Sequence, residues 1–327
     1  MNNKFILMTG GLGFIGSNFI NYLIDNYDEF KLINLDFEGI GSNLNNLKQP
    51  KSSKQDIHHI KWDISYDIIK SVGLIDLPFD FLFHFAAESH VDRSIDTPES
   101  FVRSNVMGTM HMLELARKIG VKRFINISTD EVFGSVKQAV NEKYPYNPSS
   151  VYSASKASAE MMCNAYSVTY DMDIVTTRCG NNYGPNQYTE KLIPKVITNA
   201  LNDKSIPIYD DGKQIREWCF VEDHVKDVIY VAKNGKSGEI YNVGNGYSMT
   251  NLELVEHILK TLNKSKELIQ FQPNARLGHD FKYSLDIGKL QKLKESNSDK
   301  FLVDIDHDYF NTKLNQTIDY YCEKFNN

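Results

Sequence analysis

The chain has 327 residues, with 36 Lys and Arg against 42 Asp and Glu and a formal net charge of −6. That is roughly two domains' worth of chain, long enough to fold without a disulfide frame or structural metal, and its acidic balance argues against a nucleic-acid binder working through a basic surface. With 41% hydrophobic and 24% charged residues the composition is that of a folded protein, and the longest apolar run, around Phe81–Phe85, is too short to span a bilayer.

Near the N-terminus, Phe5–Met8 runs straight into glycines, which is too short for a signal peptide. Cys163, Cys179, Cys219 and Cys322 are widely spaced and form no C-x-x-C pair. They are expected to be reduced thiols of a cytoplasmic protein, and no metal site is expected.

In chain order, Lys4–Thr9 is predicted as a strand, Ser17–Asn26 as a helix and Lys31–Asp36 as a second strand. His58–Asp63 and Phe81–Ala86 follow as strands. A helical pattern from Pro98 to Ile119 is stopped by Gly120. Arg123–Ser128 reads as a strand, Ser153–Tyr170 as a helix and Asp173–Arg178 as a strand. Strands alternating with helices predict an α/β fold: a doubly wound parallel sheet of Rossmann type, covered on both faces. Past Arg178 the pattern loosens. Asn181–Tyr188 is a polar loop and Glu190–Asn202 a helix, with turn signals at Asp210-Asp211-Gly212 and Gly244-Asn245-Gly246. Asn251–Leu262 is an amphipathic helix, Ser296–Asp299 a surface turn, and Asn311–Phe325 a last helix with Leu314, Ile318, Tyr321 and Phe325 at helical spacing.

Gly10-Gly11-Leu12-Gly13-Phe14-Ile15-Gly16 follows the first strand and opens a helix, and satisfies G-x-G-x-x-G at Gly11, Gly13 and Gly16. Glycines there permit a tight turn and close backbone approach, so a pyrophosphate can sit on the helix N-terminus. Asp36 ends the second strand, 20 residues after Gly16. A carboxylate in that place accepts ribose hydroxyls and repels a 2′-phosphate, which predicts NAD rather than NADP. Residues 1–178 are therefore expected to form an NAD-binding domain, with about 213–244 able to return to it. Residues 179–327 are expected to form a smaller, mixed α/β substrate domain.

Tyr152 and Lys156 form Tyr-x-x-x-Lys on one helix face, an arrangement in which an ammonium near a phenol would lower the phenol's pKa. Alone this spacing is common on exposed helices; downstream of the glycine loop it points to a catalytic base. Thr129-Asp130-Glu131 directly follow the strand Arg123–Ser128, at the end of a parallel strand where ligands bind. Two acids there can act as proton donor and acceptor if their surroundings push their pKa values apart; the alternative is a solvated acidic turn. In the second half, Asn181, Asn182, Lys191, Arg216, Asn251, Arg276 and His279 are polar loop residues. Each taken singly is as well explained by a solvated surface, though Lys and Arg suit a diphosphate.

Taken together, these residues resemble the extended short-chain dehydrogenase/reductase superfamily and, within it, the nucleotide-sugar 4,6-dehydratases, best of all those that act on dTDP-glucose. The matching strings are Gly10–Ser17, His84–Ser94, Ser128–Val132 and Tyr152–Ala157. In the second half they are Thr177–Cys179, Asn181–Pro185, Glu190–Pro194, Pro207–Tyr209, Arg216, Val221–His224 and Gly278–Asp280. The chain departs from the pattern at Phe133, Asp211, Ala275 and Leu277, over Phe37–Gln55, and after Leu293.

The resemblance implies NAD as cofactor, held by Gly10, Gly13, Phe14, Ile15, Gly16, Asp36, Asp63, Ile64, Phe85, Ala86, Ala87, Ser104, Tyr152, Lys156 and Asn182. It implies a nucleotide-diphosphate sugar held by Ser89, Thr129, Asn181, Lys191, Leu192, Pro207, Ile208, Tyr209, Arg216, Asn251, Arg276 and His279. Catalysis would fall to Thr129, Asp130, Glu131, Tyr152 and Lys156. Tyr152 would be the base at the sugar 4-hydroxyl, Glu131 the base at carbon 5, and Asp130 the acid at the leaving 6-hydroxyl. It also implies a homodimer paired through the Pro98–Ile119 and Ser153–Tyr170 helices, with neither membrane nor nucleic acid as partner. Two other readings stand beside it. One is a UDP-sugar 4-epimerase or decarboxylase of the same superfamily, which would typically lack the acid pair. The other is a non-catalytic NAD-binding scaffold, which would have no need of Tyr152.

Overall fold

The computed structural model describes residues 1–67, 77–244, 246–273, 280–297 and 305–326. The chain opens with β1 (Lys4–Thr9), α1 (Phe14–Asn26), β2 (Phe30–Asp36), β3 (Gln55–Lys61) and β4 (Phe81–His84). It continues through α2 (Val91–Asp96), α3 (Pro98–Phe101), α4 (Gly108–Ile119), β5 (Arg123–Thr129), α5 (Val151–Tyr170) and β6 (Ile174–Cys179). Then come β7 (Asn181–Tyr183), α6 (Leu192–Leu201), β8 (Ile206–Tyr209), β9 (Ile215–Phe220), α7 (Val221–Asn234), β10 (Ile240–Val243) and β11 (Tyr247–Thr250). The last elements are α8 (Asn251–Thr261), β12 (Ile269–Gln272), α9 (Gly288–Ser296) and α10 (His307–Asn326).

Seven strands form one sheet in the order β10-β6-β5-β4-β1-β2-β3, every neighbouring pair parallel. Strand side chains alternate between faces, and the two faces bury separate cores. Ile6, Met8, Phe83, Ile125 and Val175 meet Phe19, Ile20 and Leu23 of α1 and Val225 and Val228 of α7. Their neighbours Leu7, Leu82, Phe124 and Ile174 meet Met112, Leu113, Leu115 of α4 and Cys163 of α5 on the other side. A sheet covered on both faces has no solvated side, which is why β1 and β4 read as near-continuous apolar runs.

The sequence places the β1, β2 and β5 strands within one residue at either end. The first helix starts three residues early, at Phe14, because the chain enters it from the glycine turn with Gly13 as N-cap. The long helix from Pro98 is unbroken but passes through a π-helical stretch, Val102–Met107, before Gly120 closes it with φ of 70°. The predicted loop at Asn181–Tyr188 needs correction: Asn181–Tyr183 is a strand, paired in parallel with β9 from Asn181↔Trp218 to Tyr183↔Phe220. Its polarity hid it, since a three-residue strand carries no period to read. Of the predicted turns, Asn245 and Ser298–Asp299 lie outside the described residues.

After β6 the chain leaves the sheet and then returns to it. α7 packs against the α1 side, and β10 adds beside β6 with Ile240↔Thr176 to Val243↔Cys179 in register. α9 packs on the same side through Leu290, and the other elements form a smaller lobe, with a three-stranded sheet β11-β9-β7 and a parallel pair β12-β8. Its core joins Ile193, Val196 and Ile197 of α6, Leu254 and Ile258 of α8, and Phe310, Leu314, Ile318 and Tyr321 of α10. Among the described residues no helix is long and apolar enough to cross a membrane.

Candidate active site

Strand order runs outward from β1 in both directions, so the crevice at the β1/β4 switch point opens over the carboxyl ends of the strands. The glycine loop sits there. Gly10 has φ of 74°, and a Cβ on it would lie 2.6 Å from the Ala86 backbone nitrogen. On Gly16 a Cβ would lie 2.1 Å from the Gly10 carbonyl oxygen, so α1 closes on the turn in a way no side chain allows. At Gly13 a Cβ would make only an ordinary contact, 3.5 Å from the Gly10 carbonyl oxygen, and α1 has neither a side-chain cap nor an acidic residue in its first turn. Its N-terminal N–H groups are thus left for an anion.

Asn34 and Asp36, at the end of β2, hold this loop in place. Asn34 Oδ1 accepts from Gly11 N–H at 2.8 Å and Asp36 Oδ2 from Leu12 N–H at 2.9 Å. Asp36 Oδ1 accepts from Glu38 N–H and the Ser42 hydroxyl at 2.8 and 3.0 Å. Phe14 and Ile15 are half-buried at the start of α1, as are Phe85, Ala86 and Ala87 after β4 and Ser104 in the π-helical stretch. Asp63 caps the turn after β3 by accepting from Ser65 N–H at 2.9 Å. Ile64 is buried against Gly108, with its carbonyl 3.0 Å from His111 Nδ1. Behind the crevice His84 spans Thr9 and Thr109, 2.8 and 3.0 Å from their hydroxyls, and burial lowers its pKa to about 3.

The acid turn follows β5. Thr129 caps it: its hydroxyl oxygen accepts from Glu131 N–H at 3.3 Å and donates to Asp130 Oδ1 at 3.2 Å. Asp130 is 3% exposed, and its Oδ2 has no hydrogen-bond partner among the described residues. Burial, reinforced by Glu131 and Glu217, raises its carboxyl well above the usual carboxylate range. Glu131 is half-buried. The two acids are neighbours in sequence but not in environment, which is the condition for opposite protonation states.

Tyr152 and Lys156 lie one turn apart on α5, whose Ser150–Ser153 capping box starts the helix two residues before the predicted Ser153. Tyr152 is buried beside Thr129, Asp130, Glu131 and Cys179, with Phe101 edge-on at 6.4 Å. The expected lowering of its phenol by Lys156 is not what the structure shows. Burial first, then Glu131, raises it well above its ordinary value. The Lys156 ammonium is directed instead to the Ile127 carbonyl oxygen at 2.7 Å, and burial lowers its own pKa. A deep, anion-lined site disfavours a phenolate more than a lysine tied to backbone favours it.

The smaller lobe supplies the other predicted residues with mixed results. Asn181 and Asn182 lie on β7. Asn182 donates to the Gly180 carbonyl at 3.1 Å, and its buried Oδ1 has no partner among the described residues. Lys191 precedes Leu192, the first residue of α6, and donates to the Ser89 carbonyl at 3.1 Å, joining the two lobes. Arg93 adds a bidentate pair to Glu190 at 2.8 and 2.9 Å. On β8, Ile208 is sunk in the small-lobe core, which leaves the half-buried Pro207 and the exposed Tyr209 on the other face. Asn251 opens α8 with a buried Oδ1. Arg216 is 6% exposed. Its guanidinium donates to the carbonyls of Ile215, Asp280 and Phe281 and lies 4.4 Å from the Tyr283 ring centroid. Arg276 and His279 lie outside the described residues.

Three residues at the site belong to none of the sequence motifs. Asn34 interrupts an apolar strand, Leu32-Ile33-Asn34-Leu35, and a buried polar residue there is itself a signal. Asn105 accepts from Glu88 N–H at 2.8 Å and donates to the Ser155 hydroxyl at 2.9 Å, tying the π-helical stretch to α5. Local distortions of this kind recur at functional sites. Glu217 is adjacent to Arg216 in sequence, and nothing local marks it.

Known proteins share this architecture. A dTDP-glucose 4,6-dehydratase of Streptomyces niveus is 40% identical over 292 residues, covering 88% of this chain and 85% of its own. The crystal structure of DesIV, a dTDP-glucose 4,6-dehydratase from Streptomyces venezuelae with NAD bound, superposes with a TM-score of 0.89 at 36% identity over 98% of both chains. A UDP-glucuronic acid 4-epimerase from Bacillus cereus, also with NAD, gives 0.87 at 26% identity over 98% of this chain and 99% of its own. The fold is thus common to dehydratases and epimerases, while sequence identity favours the former. The family model described as GDP-mannose 4,6 dehydratase matches residues 7–295, and the chain belongs to that family.

Proposed function

We propose that the protein is an NAD-dependent hydro-lyase, a nucleotide-sugar 4,6-dehydratase whose substrate is dTDP-glucose and whose product is the 4-keto-6-deoxy sugar nucleotide. The observation that carries this reading is the unequal acid pair: Asp130 buried and held toward its protonated form, Glu131 half-exposed beside it, and Tyr152 against both. The similarity to dTDP-glucose 4,6-dehydratases supports the choice of sugar nucleotide. An epimerase needs a base at one hydroxyl; it has no use for a buried acid next to a second base.

The Gly10–Gly16 turn, the open N-terminus of α1, Asp36 and Asn182 would hold a dinucleotide, a reading supported by the close backbone approach at Gly16 and the uncapped start of α1. NAD, when bound, supplies a hydride acceptor that becomes the hydride donor later in the same turnover. In our reading Tyr152 takes the proton of the 4-hydroxyl as carbon 4 is oxidised, and the positive charge that bound NAD would bring is what would offset the burial and the Glu131 charge that raise its phenol. Glu131 then removes the carbon-5 proton, made acidic by the neighbouring ketone, and Asp130 protonates the departing 6-hydroxyl. Lys156 holds the Ile127 carbonyl and the floor of the site. Residues 1–178 with the returning α7 and β10 would carry the dinucleotide, and the smaller lobe, to which β9 of the expected 213–244 segment belongs, the sugar nucleotide.

Two copies are expected to pair through α3–α4 and α5, where Val102, Met107, Met161 and Val168 are 40–78% exposed. A monomer mass by light scattering would remove that pairing. Three of the four free cysteines are buried thiols, which fits a reducing cytoplasm. The test of activity is direct: incubate the purified protein with dTDP-glucose and with UDP-glucose, and weigh the products. Loss of one water from dTDP-glucose is expected. An unchanged mass with an inverted 4-hydroxyl would make it an epimerase.

A further inference from the structure

Two neighbouring carboxyls must hold opposite protonation states for this chemistry, and the structure brings a third close to them. Glu217 lies on β9, facing Asp130 across Gly180. A Cβ on Gly180 would be 3.2 Å from the Glu217 carbonyl oxygen, 3.7 Å from Glu217 Cβ and 3.4 Å from Asp130 Oδ2. A residue without a side chain is therefore all that stands between β9 and the unpartnered oxygen of Asp130.

The Glu217 carboxylate is anchored. Oε1 accepts from the Ser284 hydroxyl at 2.6 Å and Oε2 from Leu285 N–H at 3.2 Å. Both donors are neutral, so they fix its position without cancelling its charge; burial raises its pKa on balance, and the Ser284 and Leu285 hydrogen bonds and then Lys282 work against that rise in favour of the carboxylate. We infer that Glu217 is a positioning residue: its anchored charge across Gly180 keeps Asp130, rather than Glu131, the proton-bearing member of the pair. This rests on the dehydratase reading proposed above.

The other groups facing Asp130 are few and can be named. Glu131 and the Thr129 hydroxyl come from its own turn, Tyr152 from α5, Cys179 from β6, Arg216 from β9 and Tyr283 from the segment that follows residue 280. Burial raises Tyr152, Cys179 and Tyr283, which favours their uncharged forms. Arg216 opposes Glu217, but its guanidinium is committed to the carbonyls of residues 215, 280 and 281. Like charge at short range in a buried site favours the neutral acid.

The test is the pH dependence of dTDP-glucose dehydration by the NAD-loaded enzyme. Asp130 must be protonated to act, so its ionisation sets an upper limb. Removing the Glu217 charge lowers that limb. Glu217→Gln should move it down by about one pH unit, a tenfold loss above the limb with little change below it. Glu217→Asp, which withdraws the charge by one methylene, should move it less and in the same direction, and it serves should the first variant fail to fold. Ser284→Ala removes one of the two hydrogen bonds that favour the charged Glu217 but leaves the carboxyl itself in place, and should move the limb less than Glu217→Gln does. A wild-type limb in both Glu217 variants overturns the inference; so does the same shift from Ser284→Ala, which would make Glu217 a strut. Failure of the wild type to release water from dTDP-glucose overturns the dehydratase reading instead. The effect of Glu217 on Asp130 then remains readable by infrared titration, as the carboxylic-acid band that Asp130→Asn removes: it should be lost at lower pH in Glu217→Gln, and an unmoved band overturns the inference.

Discussion

In the sheet lobe the polar side chains of the site hold backbone at the ends of parallel strands: Asn34 the Gly11 N–H, Asp36 the Leu12 N–H, Lys156 the Ile127 carbonyl. In the smaller lobe Arg216 also holds backbone, but three carbonyls of its own lobe, and Ile208 is part of the core. Both lobes bury polar groups that sequence alone marks as ligands. In the first, the topology leaves those groups at an opening, because every parallel strand ends there. In the second, short strands and turns wrap around the polar groups, and a residue that looks available for a diphosphate is structural in the ligand-free chain.

The comparison can be sharpened by breaking each lobe in turn. The largest effect is expected from Tyr152→Phe, which keeps the ring against Phe101 and removes one oxygen. Product formation should fall by about 10²–10⁴ with an unchanged melting temperature. Ile197→Ala should do the reverse, since Ile197 is fully buried in the small-lobe core. It should cost about 2–5 kcal/mol of stability by denaturant titration, with NAD retained at temperatures where the protein stays folded.

Arg216→Lys is expected to come next in size. A lysine cannot serve three carbonyls at once, so stability should drop by about 1–3 kcal/mol. A loss of substrate affinity alone, with unchanged unfolding, would show that the guanidinium is released to bind diphosphate and would erase the contrast between the lobes. The smallest effect is a change of slope. The Asp130 carboxyl is raised in the folded state, so the folded chain keeps a proton that the unfolded chain gives up. Stability therefore falls as pH climbs from the unfolded carboxyl value, about 3.9, toward the raised folded one. Asp130→Asn removes that dependence. Its melting temperature relative to wild type should rise with pH over that interval, and a constant difference would show that Asp130 titrates normally.

Much of this was legible residue by residue. Ile6-Leu7-Met8 announced a strand buried on both faces, and Gly10 to Gly16 a turn that admits no side chain, because those features depend on atoms a few bonds away. The polar strand β7 was not legible: it has three residues, and its partner β9 lies far along the chain. Nor was the Tyr152 environment, where adjacency to Lys156 suggested a lowered phenol and burial among carboxyls raises it.

The sequence by itself determined the parallel sheet, the glycine turn, Asp36 at the end of β2 and the single helical turn from Tyr152 to Lys156. Periodicity and backbone freedom are local properties that a chain carries wherever it folds. Only the tertiary structure decided that Asp130 is sealed while Glu131 is half-open, that Glu217 faces Asp130 across Gly180, and that Arg216 serves backbone carbonyls. Burial and electrostatic environment are set by residues brought together from β5, β6, β9 and the segment after residue 280. Which of two adjacent acids keeps its proton is a property of that assembly, and no spacing between them encodes it.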